Sequence, residues 1–317
     1  MPLKTCLVII TFFLSTLACS FHTGNHLNPI SATRSAPSPV SSAVQQPANA
    51  ADTTSIANTV DRLHRTTADW NDVPAEVSTL LTQFKRQLRD QISLTMNEVG
   101  SSSSPDDFRI RIWDRLTAAG VTICQSRNHT IEDGDCESKW QYGDLFDVQI
   151  NRPLHHPELI AVVVTLEIPC GRDSSLYIFR KQARAWQLVL AHEANGYQEI
   201  SGAQGYFDYR IAFDSADKFF LVIVNVTPWC TSAWQMLRFS AVRPAPDADK
   251  PTVIVSGKET IYLGIDPPTY QLVVRQKWFS IRFVGEATEA QIANGFITRN
   301  RLIRFRIDGN RAVSTTH

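Results

Sequence analysis

Residues 158–180 read ELIAVVVTLEIPCGRDSSLYIFR, and residues 218–239 read KFFLVIVNVTPWCTSAWQMLRF. From Leu159 to Leu166 and from Phe219 to Val224 the apolar and β-branched residues do not alternate with polar ones. A strand with one wet face alternates, so these two runs must be buried on both faces. In an antiparallel protein that happens when sheets stack face to face or when helices cover the second face. Each run reaches a cysteine, turns, and returns through an aromatic-aliphatic stretch, which makes each segment a hairpin buried on both sides.

The two segments also correspond to one another. Val162 and Val222, Val164 and Val224, Cys170 and Cys230, and Phe179 and Phe239 share one offset of sixty residues. Upstream, GDLFDVQI (143–150) parallels GYFDYRI (205–211). A fainter third set follows, TYQLVV at 269, WFSIRFVGE at 278 and RLIRFRIDGNRAV at 301, in which Phe305 parallels Phe179 and Phe239. These matches suggest a repeated unit of four strands. Candidate strands fall at 145–151, 159–168, 175–181, 185–191, 206–213, 219–227, 233–241, 252–256, 259–264, 269–275, 278–284 and 301–307, separated by Gly, Pro, Asp or Asn. If the repeat is real, Phe179 and Phe239 occupy equivalent buried positions.

The segment before the strands reads as helical over 57–120. Asp72 is a suitable N-cap and Pro74 suits a first turn. Val77, Leu80, Leu81, Phe84, Leu88 and Ile92 follow the i, i+3, i+4 spacing of one apolar stripe, and Gly100 ends it. Lys85, Arg86 and Arg89 are expected on the polar face. A second helix starts at Ser104-Pro105 and runs to Gly120. The fold expected is therefore α+β and mainly β: a helical cap (57–120) followed by an antiparallel domain (121–317) of about three four-stranded units. Packed sheets are the first reading and a propeller-like ring the alternative, because three units fall short of known propellers.

The N-terminal residues give an address. Lys4 precedes an apolar stretch, Leu7 to Leu17, of signal-peptide length and too short to span a bilayer. Thr16 and Ala18 fit ordinary signal cleavage. Thr16-Leu17-Ala18-Cys19 also resembles a bacterial lipobox, in which Cys19 becomes the lipidated N-terminus after removal of 1–18. Ser20 then resembles a signal for outer-membrane sorting. Residues 19–56 are rich in Ser, Ala, Pro, Thr and Gln without hydrophobic period, as expected of a disordered tether. The implied location is the bacterial cell envelope, as an outer-membrane lipoprotein or a periplasmic or extracellular protein. Its membrane contact would be the N-terminal lipid, with a protein or glycan as a further partner. Cys124, Cys136, Cys170 and Cys230 remain in the mature chain, an even number suited to an oxidising compartment. Of three pairings, Cys124–Cys136 with Cys170–Cys230 is the one we expect, and four free thiols are the alternative.

The 317 residues carry 31 Lys plus Arg and 31 Asp plus Glu. A balanced charge removes the electrostatic case for a nucleic-acid partner. No G-x-S-x-G elbow, Walker loop or G-x-G-x-x-G is present. His192-Glu193 lacks the second histidine of H-E-x-x-H, and His155-His156 lie in a turn beside Pro157. Glu132, Asp133 and Asp135 alternate around Gly134 and are a weak calcium candidate. Ser174 and Ser175 follow Asp173 in an expected turn. No metal or cofactor is otherwise called for.

Trp229 and Trp234 flank Cys230, where they could stack on a sugar or anchor a partner. From Tyr270 to His317 there are eight Lys or Arg against three acidic residues. In RLIRFRID, Ile303, Phe305 and Ile307 face one side while Arg304 and Arg306 face the other. Trp229, Trp234, Arg304 and Arg306 are thus the candidate ligand surface. The functional expectation is an exported, lipid-anchored, non-catalytic binding or assembly module of unknown ligand. The alternative is a hydrolase of an extracellular or cell-wall polymer, its site built from dispersed residues.

Overall fold

The computed structural model describes residues 51–65, 75–99, 103–121, 144–168, 171–194, 206–214, 217–226, 233–262, 270–295 and 297–315. Three helices come first: α1 (Ala51–Arg65), α2 (Ala75–Val99) and α3 (Pro105–Ala118). The first sheet comprises β1 (Asp144–Asn151), β2 (Leu159–Ile168), β3 (Gly171–Gln182) and β4 (Ala185–His192). The second comprises β5 (Phe207–Phe213), β6 (Phe219–Val226), β7 (Trp234–Arg243) and β8 (Thr252–Tyr262). The third has β9 (Tyr270–Arg275), β10 (Trp278–Phe283), β11 (Arg301–Asp308) and β12 (Arg311–Ser314), with the short α4 (Glu289–Ala293) between β10 and β11. Every sheet is an antiparallel meander in chain order, and none closes into a barrel.

Two of the expected strands, 252–256 and 259–264, are one continuous strand, β8. Gly257 does not break it because the Phe239 ring lies across the glycine: a Cβ at 257 would meet Phe239 Cζ at 2.4 Å. The final strand, β12, was not expected from its polar composition. Helix α1 starts at Ala51, inside the stretch read as tether, and seats Ile56, Val60 and Leu63 in the core. The other residues of that stretch lie outside the described residues, as does the signal segment. Helix α3 starts with a full capping box between Ser104 and Asp107 and with Pro105 in its first turn. Among the described residues, no helix is long and apolar enough to cross a membrane.

Burial explains the unalternating runs. On β2, Ile160, Val162, Val164 and Leu166 enter a core with Phe84, Leu88 and Ile92 of α2. The intervening Leu159, Ala161 and Val163 meet Phe219, Leu221 and Ile223 of β6. The remaining β6 residues, Phe220, Val222 and Val224, pack on Phe279, Ile281 and Phe283 of the third sheet. The protein is thus a stack of four layers, helices and three sheets, with two inner sheets covered on both sides.

The sixty-residue correspondence does not survive as a repeat. Val164 lies opposite Ser175, eleven residues on, while Val224 lies opposite Phe239, fifteen residues on. By register the counterpart of Phe239 is Ser175, and Phe179 has no matching phenylalanine. Both Phe side chains are buried, but Phe179 belongs to the helix-side core and Phe239 to the core with the third sheet. Copies stacked head to tail, as propeller blades are, would turn residues sixty apart the same way along the stack. Instead 159, 161 and 163 meet 219, 221 and 223 in one shared layer. The likeness reflects a shared demand, a meander buried on both faces.

Polar contacts fix the layers. Asn97 of α2 accepts from Trp186 N at 2.8 Å and donates to Trp186 O at 3.2 Å, which occupies the edge of β4. Further along that strand, Ala191 N donates to Ala248 O of the β7–β8 connection, whose Asp249 pairs with Arg89 of α2. Arg243, at the end of β7, approaches Asp214 at 2.9 Å and donates to Gly309 O in the β11–β12 turn.

Candidate functional site

Two surfaces and one buried cluster gather the chemically capable side chains. The first surface is the outer face of the third sheet. Strand alternation sends Phe279, Ile281, Ile303, Phe305 and Ile307 inward and their neighbours outward. Register then aligns Arg275, Trp278, Arg306 and Val313 in one row across all four strands. Ser280 and Arg304 stand opposite each other in the next row, and Arg282 and Leu302 in the one beyond. The Arg304 guanidinium lies 5.0 Å from the Trp278 ring centre, a cation–π contact between rows. Arg311, opposite Asp308 near the turn, completes the set.

Five arginines thus share this face with one carboxylate. Their direct cross-strand neighbours are mostly uncharged, namely Trp278, Val313, Ser280, Gln271 and Leu302. That spacing avoids like charges directly opposite one another, which would be destabilising. It lets positive charge accumulate on an accessible sheet face, and Arg275, Arg282, Arg304, Arg306 and Arg311 are all exposed. Such a face can hold several anionic groups at once, and Trp278 adds a flat apolar element.

The alternation read from RLIRFRID is therefore present, and Arg304 and Arg306 stand together. Trp234 does not join them. It starts β7 in the second sheet, partly buried, with its ring 5.2 Å from that of Tyr262. Trp278 takes the aromatic place on the arginine face. Sequence spacing does not reveal it, because only strand register brings it beside Arg306. Trp229, Cys19, Cys124, Cys136, Cys170, Cys230, Glu132, Asp133 and Asp135 lie outside the described residues.

The second surface is a groove of about 430 Å³ between the end of β4 and strands β7 and β8, lined by His192, Glu193, Arg238 and Lys258 among others. His192 is partly buried, and its pKa is lowered to about 4, first by desolvation and then by the charge of Lys85. It is neutral at ordinary pH. His192 lies opposite Leu176, on the side facing the second sheet. The Glu193 charge instead acts on Tyr177, which faces the helices, and after burial it is the next cause raising that phenol. The adjacent pair therefore diverges and does not form a relay.

The buried cluster lies under α2. Lys85 Nζ is 2.5 Å from Asp173 Oδ2 and donates to Ser175 Oγ at 2.6 Å. All three residues are closed to solvent. Two expectations are corrected here. Lys85 and Arg89 are not on a solvated face, because position 85 sits between Leu81 and Leu88 on the core-facing lattice of the helix. Asp173, Ser174 and Ser175 are not a turn but the first part of β3, their polar atoms engaged by Lys85 and, at Ser174, by Thr165 at 3.0 Å. No substrate atom can reach Ser175 in this arrangement. The cluster ties helix to sheet.

The chain matches no family model, and no curated protein matches it at a significant level. The functional reading therefore rests on the surfaces themselves.

Proposed function

We propose that this protein is an exported, non-catalytic binding module, held at a membrane of the bacterial envelope by lipid on Cys19, whose ligand surface is the outer side of the third sheet. One observation carries the reading. Arg275, Arg282, Arg304, Arg306 and Arg311 are arrayed around Trp278 on an exposed sheet face against a single Asp308. The chain as a whole carries no net charge, whereas this face carries a clear excess of positive charge. The ligand is accordingly a polymer or surface bearing repeated phosphate, sulfate or carboxylate groups, and a segment after Cys19 rich in Ser, Ala, Pro, Thr and Gln suits a domain that must reach it.

Titration with dextran sulfate, and with neutral dextran as control, tests this reading. Binding should be confined to the sulfated polymer and should weaken with added salt. Each arginine near an anionic surface is worth about 1 kcal/mol. A variant carrying Arg282→Gln, Arg304→Gln and Arg306→Gln should then bind roughly a hundredfold more weakly. Equal binding by that variant, or none by the parent, would sink the assignment.

A further inference from the structure

A second site lies away from the arginine face, at the open edge of the layer between the first and second sheets. We propose that the cleft between β1 and β5 binds a neutral saccharide.

The first sheet changes character along its inner face. Ala161 and Val163 of β2 lie under the apolar residues of β6. The next residue on that face, Thr165, is polar and shares a hydrogen bond of 3.0 Å with Ser174 of β3. On the neighbouring edge strand, Asp147 stands opposite Thr165 and Gln149 opposite Val163. This polar patch lines a cleft of about 310 Å³, walled on the other side by Phe207, Asp208, Tyr209 and Arg210 of β5. The volume is at the lower end of the range for small-molecule sites. Thr165 and Ser174 are buried yet line this cleft, so the core-facing side of the sheet turns polar where a ligand could meet it.

The composition of the lining selects the ligand. Two carboxylates, Asp147 and Asp208, are balanced by two guanidiniums, Arg172 and Arg210. Arg210 pairs with Asp208, and Arg172 lies 3.6 Å above the Phe146 ring. A charged ligand would leave one sign unmatched, and an apolar one would strip water from four charges without return. Hydroxyl groups donate and accept, so a sugar can use carboxylate and carbonyl oxygens together with guanidinium and amide N–H groups. The Phe146–Arg172 contact in the lining gives a sugar ring a surface to lie on. Burial in the cleft wall holds the Asp208 carboxyl above its ordinary value, in keeping with a partly desolvated pocket.

The test uses the full mature chain and a panel of neutral probes: glucose, N-acetylglucosamine and their β-1,4-linked disaccharides. Binding is followed by calorimetry and by chemical-shift changes, at probe concentrations up to about 10 mM, enough to fill most of a millimolar site. At least one probe should bind, and Gln149→Ala and Asp147→Ala should each weaken it tenfold or more. Both positions are outside the apolar core, and thermal unfolding of each variant checks that the fold is intact. Gln149→Glu keeps size and disturbs the charge balance, and should also weaken binding. The triple arginine variant of the third sheet should bind the sugar normally, which separates this site from the anionic surface. No binding by any probe, or binding unchanged in the cleft variants, would overturn the proposal.

Discussion

Lys85 and Asp173 form an ion pair that is wholly removed from water, with the ammonium 2.5 Å from the carboxylate and donating a further hydrogen bond to Ser175. It joins the helical layer to the first sheet at the centre of their common core. Two charges in such a place are costly to bury and are held there by each other.

Removing one partner should therefore be worse than removing both. Lys85→Met alone, or Asp173→Leu alone, should cost about 3–5 kcal/mol, because the remaining charge is stranded. The double variant Lys85→Met with Asp173→Leu should recover most of that loss. Urea denaturation of the four proteins gives the cycle. Additive losses would mean that the pair does not act as a unit.

Gly257 and Phe239 make a second dependent pair. The ring occupies the space over the glycine that a side chain would need. Gly257→Ala should destabilise by about 1–3 kcal/mol through overpacking, and a smaller residue at position 239 should relieve part of that effect. Melting temperatures of Gly257→Ala with and without Phe239→Leu decide it. Gly257→Ala without effect would show that the ring is free to move.

Two histidines should make the fold sensitive to mild acid. His64 is buried in α1 and His192 lies at the end of β4, and desolvation is the largest cause lowering each. The unfolded chain, with imidazoles near 6.5, takes up these protons before the folded one does. Their contribution is complete above about pH 6.5 and is lost as pH falls towards about 4, where His192 protonates in the folded state. Unfolding free energies measured between pH 7 and pH 5 should decline, and a His64→Gln, His192→Gln double variant should show a flatter profile. A parent profile that is level across this interval would contradict the assignment.

The N-terminal segment sets the maturation expected of the chain. Mass spectrometry of the membrane fraction should find Cys19 as a lipid-modified N-terminus, and Cys19→Ala should release the protein from that fraction. A soluble mature chain beginning elsewhere would remove the anchor from the account.

Much of the architecture was legible because it follows from period. The unalternating runs at 159–166 and 219–224 required cover on both faces, and the stack supplies it. The stripe from Val77 to Ile92 required a partner, and the first sheet is that partner. What escaped depends on pairing across distance. Lys85 looked solvated because its charge outweighed its place on the helix lattice, and only Asp173 on a later strand makes that place tenable. The sixty-residue match looked like duplication because both hairpins answer the same burial demand, while their registers differ by four residues. Arg304 and Arg306 could be seen on an outward face, but Trp278, Arg275 and Arg282 join them through the β-ladder alone.

Arginine footprinting decides whether the arginine face of the third sheet meets the ligand. The mature protein would be treated with phenylglyoxal, free and mixed with isolated cell envelopes, and the modified residues read by mass spectrometry. Arg282, Arg304 and Arg306 should lose reactivity in the mixture while Arg109, exposed on α3, keeps it. Unchanged reactivity of the three sheet arginines, with protection appearing elsewhere, would contradict this assignment.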